Sequence, residues 1–162
     1  MKKVAVIMGS DSDWPIVKPA ADMLKEFGIE PVVEVASAHR TPGRVKEFVE
    51  SADDKGISLF IAAAGAAAHL GGVIASYTTK PVIGIPINAS PMNGLDALLA
   101  TVQMPSGIPV ATMAINGAKN AAIFAAQILA VGDTELAEKM KAYRQKLADE
   151  VAVKSARVAA QV

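Results

Sequence analysis

Between Gly56 and Gly132 the chain runs 77 residues with only three formal charges, Lys80, Asp96 and Lys119, while both ends are densely charged. An average globular domain carries about 25% charged residues. This middle must therefore be covered, either by flanking helices of the same chain or by other subunits. Its apolar character rests on small side chains, since the sequence holds 31 alanines and only seven aromatics. Residues 57–77 (ISLFIAAAGAAAHLGGVIASY) carry no formal charge over a length that can span a bilayer. Gly65, His69 and Gly71-Gly72 interrupt that run, and no basic cluster flanks it. The better reading is a buried parallel strand, a glycine turn and a small-residue helix.

The remaining arithmetic narrows the function classes. A length of 162 residues suits a single domain. Sixteen Lys and Arg against sixteen Asp and Glu argue against a nucleic-acid partner and against adsorption to a membrane. The absence of cysteine excludes a disulfide scaffold, a thiol nucleophile and a cysteine-held metal, and two histidines exclude a three-histidine centre. The N-terminus passes from Lys2 and Lys3 to Asp11 and Asp13 without the long apolar run of a signal peptide, so a soluble cytoplasmic protein is expected.

Val- and Ile-rich runs alternate with helical patterns along the chain. Residues 3–8, 31–36, 57–64, 81–87 and 109–115 read as strands; residues 15–27, 41–54, 67–77, 95–102 and 118–131 read as helices. Pro15 and Pro42 suit first helical positions, with Thr41 as the cap of the second helix, and Gly28, Gly56 and Gly132 fall where helices stop. This alternation predicts an α/β fold with a five-stranded parallel sheet and helices on both faces. One domain is expected: an α/β core over 1–132 and a helical arm over 133–162. In that arm Leu136, Met140, Tyr143, Leu147 and Val151 recur at helical spacing. The arm either packs on its own sheet or lies across a neighbouring subunit.

Ligands of open parallel sheets bind beyond the carboxyl ends of the strands. Four loops sit there: residues 9–14 (GSDSDW), 37–43 (SAHRTPG), 65–70 (GAAAHL) and 87–94 (INASPMNG). In the first, Ser10 and Ser12 lie at a helix start, where they either cradle an anion or cap the helix, and Asp13 suits ribose hydroxyls better than phosphate. In the second, Ser37, His39 and Arg40 are packed into four residues. Arg40 offers a forked, permanently charged donor for phosphate, and His39 can give and take a proton near neutral pH. His69, among alanines, reads as a buried neutral imidazole bonded to backbone or as a second chemical group. Asn88, Ser90, Asn93 and Asp96 either rim the pocket or terminate a strand and cap a helix. These residues point to a site for a phosphorylated, ribosyl small molecule, with His39 moving protons.

Residues 8–14 (MGSDSDW), 37–42 (SAHRTP), 67–70 (AAHL), 94–96 (GLD), 102–105 (VQMP) and 119–129 (KNAAIFAAQIL) together resemble the N5-carboxyaminoimidazole ribonucleotide mutases of purine biosynthesis. The resemblance covers essentially the whole chain. It implies a flavodoxin-like three-layer sandwich, a homo-octamer whose C-terminal helices reach onto neighbours, and transfer of a carboxylate from N5 to C4 of an imidazole ribonucleotide without cofactor or metal. It further implies His39 as the catalytic histidine and Ser10, Asp13 and Arg40 as ligands of the ribose and phosphate. Ser12, Ser37, Gly65 and His69 complete the expected pocket.

The chain departs from that family at residues 62–72, where AAAGAAAHLGG stands for the usual AGAGGAAHLPG. Ala63 and Ala66 replace glycines and Gly71 replaces a proline, so a left-handed backbone at Ala66 would be strained. Two alternatives differ in their residues. A carbon-dioxide-dependent carboxylase of the same fold resembles SAHKT and lacks the AAHL block, and a non-catalytic nucleotide-binding module has no use for His39.

Overall fold

The computed structural model describes residues 1–161. Five parallel strands form one sheet in the order β2-β1-β3-β4-β5: β1 Lys3–Met8, β2 Glu30–Val35, β3 Ile57–Gly65, β4 Val82–Ile87 and β5 Ala111–Thr112. Helices α1 Trp14–Glu26, α2 Pro42–Glu50, α3 Leu70–Tyr77, α4 Leu95–Val102 and α5 Ala118–Ala130 follow the successive strands, and α6 Thr134–Ala159 ends the chain. This is the α/β sandwich that the alternation predicts.

Burial explains the composition of the strands. β1, β3 and β4 lie inside the sheet, and their apolar runs have helices over both faces. Phe60, Ile61, Ile83 and Ile85 are inaccessible to water or nearly so. β2 is an edge strand, so Val33 and Val35 remain exposed and Glu30 and Glu34 pair with Lys3 and Arg44. Helix α1 stops where expected. Gly28 takes φ +77°, and the Ile29 N–H reaches back to the Leu24 carbonyl.

Three elements are shorter than the sequence suggests, among them α3, which starts at Leu70 rather than residue 67. Helix α2 ends at Glu50 rather than residue 54, because Ser51 caps back onto the Phe48 carbonyl and a turn closes at Gly56 with φ +69°. Strand β5 keeps only two residues of the expected seven. Pro109 has no N–H to give a ladder, and the Met113 and Asn116 N–H groups reach single β4 carbonyls outside regular pairing.

The chain divides into two compact units, Met1–Ala125 and Ala126 onward. In the first, the charge-poor middle is only partly covered. Helix α4 buries Ala97 and Thr101 but leaves Leu95, Leu99 and Val102 about half exposed, with Met92 just before them. In the second, Leu136 and Met140 are buried, whereas Leu147, Val151 and Val158 face water. Among the described residues no helix is long and apolar enough to cross a membrane.

Candidate active site

Strand order reverses between β1 and β3, and the loops after β1, β2 and β3 meet there. They enclose a cleft of about 440 Å³ whose wall includes Ser10, Ser12, Asp13, Ser37, His39, Arg40 and Gly65. The fourth loop contributes only Ala89. In and just after this loop the Asn88 backbone N–H donates to Asn116 Oδ1, Ser90 Oγ accepts from the Met92 N–H, and Asp96 Oδ1 accepts from the Ala97 N–H.

The first loop turns at Gly9, whose N–H donates to the Ala63 carbonyl on β3 at 3.2 Å. A single 3-10 turn, Asp11–Asp13, leads into α1. Ser10 Oγ accepts from the Ser12 N–H at 3.3 Å and from the Ser12 hydroxyl at 2.9 Å, so the two hydroxyls stand side by side. Asp13 is the one acidic residue described as buried, at 8% exposure. Burial pushes its carboxyl above the usual aspartate range, with a smaller push from Asp11. A hydrogen bond from the Ser10 backbone and the Arg40 charge act in the opposite direction.

The second loop carries His39 and Arg40, both exposed. Arg40 reaches across to the first loop, where Nη2 donates to the Gly9 carbonyl at 2.7 Å. Its guanidinium is thus held at the mouth of the cleft near Asp13. His39 Nε2 lies 2.9 Å from Nδ1 of His69, with the rings edge to face at 77°. One of these nitrogens must carry a proton and the other a lone pair, so the hydrogen bond admits one proton between the rings. Nδ1 of His39 is the ring nitrogen free of this bond.

His69 differs from the expected buried imidazole. It is exposed, stands at the start of α3 and bonds to the second histidine rather than to backbone. It is not part of the cleft wall itself. The sequence held no local sign of this pairing, because the two rings are separated by 30 positions. Among the described residues no three His, Asp or Glu side chains gather as a metal site.

The alanine-rich third loop explains both its glycine and its strain. A Cβ on Gly65 would come within 2.6 Å of Ala89 Cβ and 3.2 Å of the Ile87 carbonyl, so only glycine lets the β4 end approach. Ala66, next to it, takes φ +50°. The other non-glycine residues at positive φ are Asn93 and Asn116, a residue type that tolerates this region. Left-handed backbone costs alanine about 1–2 kcal/mol, whereas glycine loses about 0.4–1 kcal/mol through the unfolded chain. Ala66→Gly is therefore expected to stabilise the protein by about 0.5–1 kcal/mol, read as a higher denaturant midpoint with an unchanged slope. A lower midpoint would show that Ala66 is not strained.

Residues 3–150 match the AIR carboxylase family. The chain belongs to the AIR carboxylase family. Within it, the chain is 52% identical over 158 residues to the N5-carboxyaminoimidazole ribonucleotide mutase of Thermotoga maritima, covering 98% of this chain and 92% of the relative. It is 53% identical over 147 residues to the mutase of Pyrococcus abyssi, covering 91% and 84%. In three dimensions it resembles the crystal structure of Treponema denticola PurE with a TM-score of 0.86 at 29% identity, covering 97% and 98% of the two chains. AIR carboxylase family membership thus covers the sheet, the three loops of the cleft and most of α6.

Proposed function

We propose that this chain is an isomerase of purine biosynthesis that converts N5-carboxyaminoimidazole ribonucleotide to 4-carboxy-5-aminoimidazole ribonucleotide. The observation that carries the reading is the cleft at the β1/β3 switch, where His39 shares a wall with Arg40 and Asp13 and is hydrogen-bonded to His69 behind it. Near-complete similarity to relatives that bear the mutase name supports it.

The chemistry needs one proton carrier. His39 donates a proton to N5 as the N5–carboxylate bond breaks and carbon dioxide leaves. C4 of the electron-rich imidazole then attacks the trapped carbon dioxide, forming the new C–C bond. The now neutral His39 removes the C4 proton, which restores the aromatic ring and the starting protonation state. With its Nε2–H donated to His69 Nδ1, His39 keeps Nδ1 for this exchange, and His69 fixes the tautomer. Arg40 takes the phosphate, Ser10 and Asp13 take the ribose, and Ser12 and Ser37 add polar contacts. Small residues around Gly65 keep the pocket tight around carbon dioxide.

The direct test is conversion of the N5-carboxylated ribonucleotide without ATP or added bicarbonate. Formation of product supports the mutase. Product only from aminoimidazole ribonucleotide and bicarbonate would assign the carboxylase instead, and tight binding without product would leave a nucleotide-binding module.

The apolar surface completes the reading. Leu95, Leu99 and Val102 form an i, i+4, i+7 stripe on α4, and α6 exposes Leu147, Val151 and Val158. A soluble cytoplasmic enzyme would cover both in a homo-octamer, with residues 133–162 lying as an arm on a neighbour. Sedimentation is expected to give a particle of eight 16.7 kDa chains. A single 16.7 kDa species in dilute buffer would refute this assembly.

A further inference from the structure

Thr41 reads in the sequence as the cap of α2, yet its hydroxyl does something else. Oγ1 makes no hydrogen bond to the first turn of α2. It accepts from the Ser37 backbone N–H at 2.9 Å and donates to the Ser37 carbonyl at 3.1 Å. The Thr41 N–H donates to the same carbonyl at 2.9 Å, and Ser37 Oγ accepts from the Arg40 N–H at 3.1 Å. Four hydrogen bonds thus close a ring over residues 37–41, with His39 near its middle.

We propose that Thr41 is a positioning residue for His39: its hydroxyl clasps both backbone groups of Ser37 and so holds the His39 ring at its 2.9 Å contact with His69. The inference rests on His39 being the proton carrier. The clasp calls for a hydroxyl in particular, because one oxygen must accept from an N–H and donate to a carbonyl. A carboxylate only accepts, and an isopropyl group does neither. Residues 39–41 are exposed, and of this loop only Ala38 packs against the core. Arg40 has a separate anchor, its 2.7 Å bond to the Gly9 carbonyl. Loosening the clasp therefore moves His39 more than Arg40.

The test compares Thr41→Val, Thr41→Ser and Thr41→Asp by two measurements: kcat and KM in the mutase reaction, and ring nitrogen-15 shifts of histidine-labelled protein without substrate. The chain has two histidines, so the shared hydrogen bond has few signals to hide among. A displacement of about 1 Å costs on the order of 100-fold, so Thr41→Val is expected to lose about 10- to 100-fold in kcat, with KM changed by less than about threefold. Thr41→Ser is expected to keep turnover and the hydrogen-bonded nitrogen signature. Thr41→Asp supplies a good helix cap without the clasp, so it is expected to match Thr41→Val. If Thr41→Val does not fold, the Asp and Ser pair carries the same comparison. Full turnover and an intact signature in Thr41→Val or Thr41→Asp would overturn the proposal. The nitrogen signature needs no turnover, so a protein without mutase activity fails the functional reading while the clasp is still decided.

Discussion

His39→Asn is expected to lower kcat by about 1000-fold while leaving ribonucleotide affinity within a few-fold of the natural protein. General acid–base catalysis contributes about 100- to 10,000-fold, and here one imidazole serves two steps, protonating N5 and then deprotonating C4. Asparagine keeps the bulk and one polar contact but cannot exchange a proton near neutral pH. Binding survives because the charge that holds phosphate is on Arg40, which is anchored independently on the Gly9 carbonyl. Calorimetric titration with the ribonucleotide, run beside the turnover assay, separates the two effects. Retained turnover would remove His39 from the mechanism, and lost binding would make it a binding group.

Arg40→Gln is expected to do the opposite, raising KM by about 100-fold with a much smaller change in kcat. Breaking a charge-assisted contact to a bound anion costs about 2–5 kcal/mol. The same substitution frees the Gly9 carbonyl and removes a positive charge that holds the Asp13 carboxyl down against burial. Asp13 then protonates at a higher pH than in the natural protein. As pH falls through that range, the carboxylate is replaced by the neutral acid and the ribose contacts weaken. The KM defect should therefore grow toward acid pH. A defect confined to kcat, with no pH trend in KM, would place Arg40 in the chemistry instead.

Much of this architecture is legible in the sequence. β1 and α4 fall on the expected residues, because the apolar run of the one and the i, i+4 stripe of the other are set locally. Ser10, Asp13, Ser37, His39 and Arg40 converge because all sit in loops at the carboxyl ends of β1 and β2, a placement that parallel topology imposes. The positive φ of Ala66 falls at a position where the resemblance implies glycine.

What escaped the sequence was tertiary. The His39–His69 pair depends on how α3 starts after β3, and no spacing rule links positions 30 apart. Thr41 has the signature of a cap, a Thr before Pro42, and only the turn of its own loop diverts the hydroxyl to Ser37. The expected length of β5 failed because a proline-containing edge strand pairs only briefly with β4.

The central claim is that carbon dioxide passes from N5 to C4 inside the cleft without mixing with the solvent. The measurement that tests it most directly is the fate of a carbon-13 label in the N5 carboxylate, followed by NMR in excess unlabelled bicarbonate. The account predicts that the label stays with the ribonucleotide and appears in the C4 carboxylate. Loss of the label to the bicarbonate pool, with unlabelled product, would contradict it.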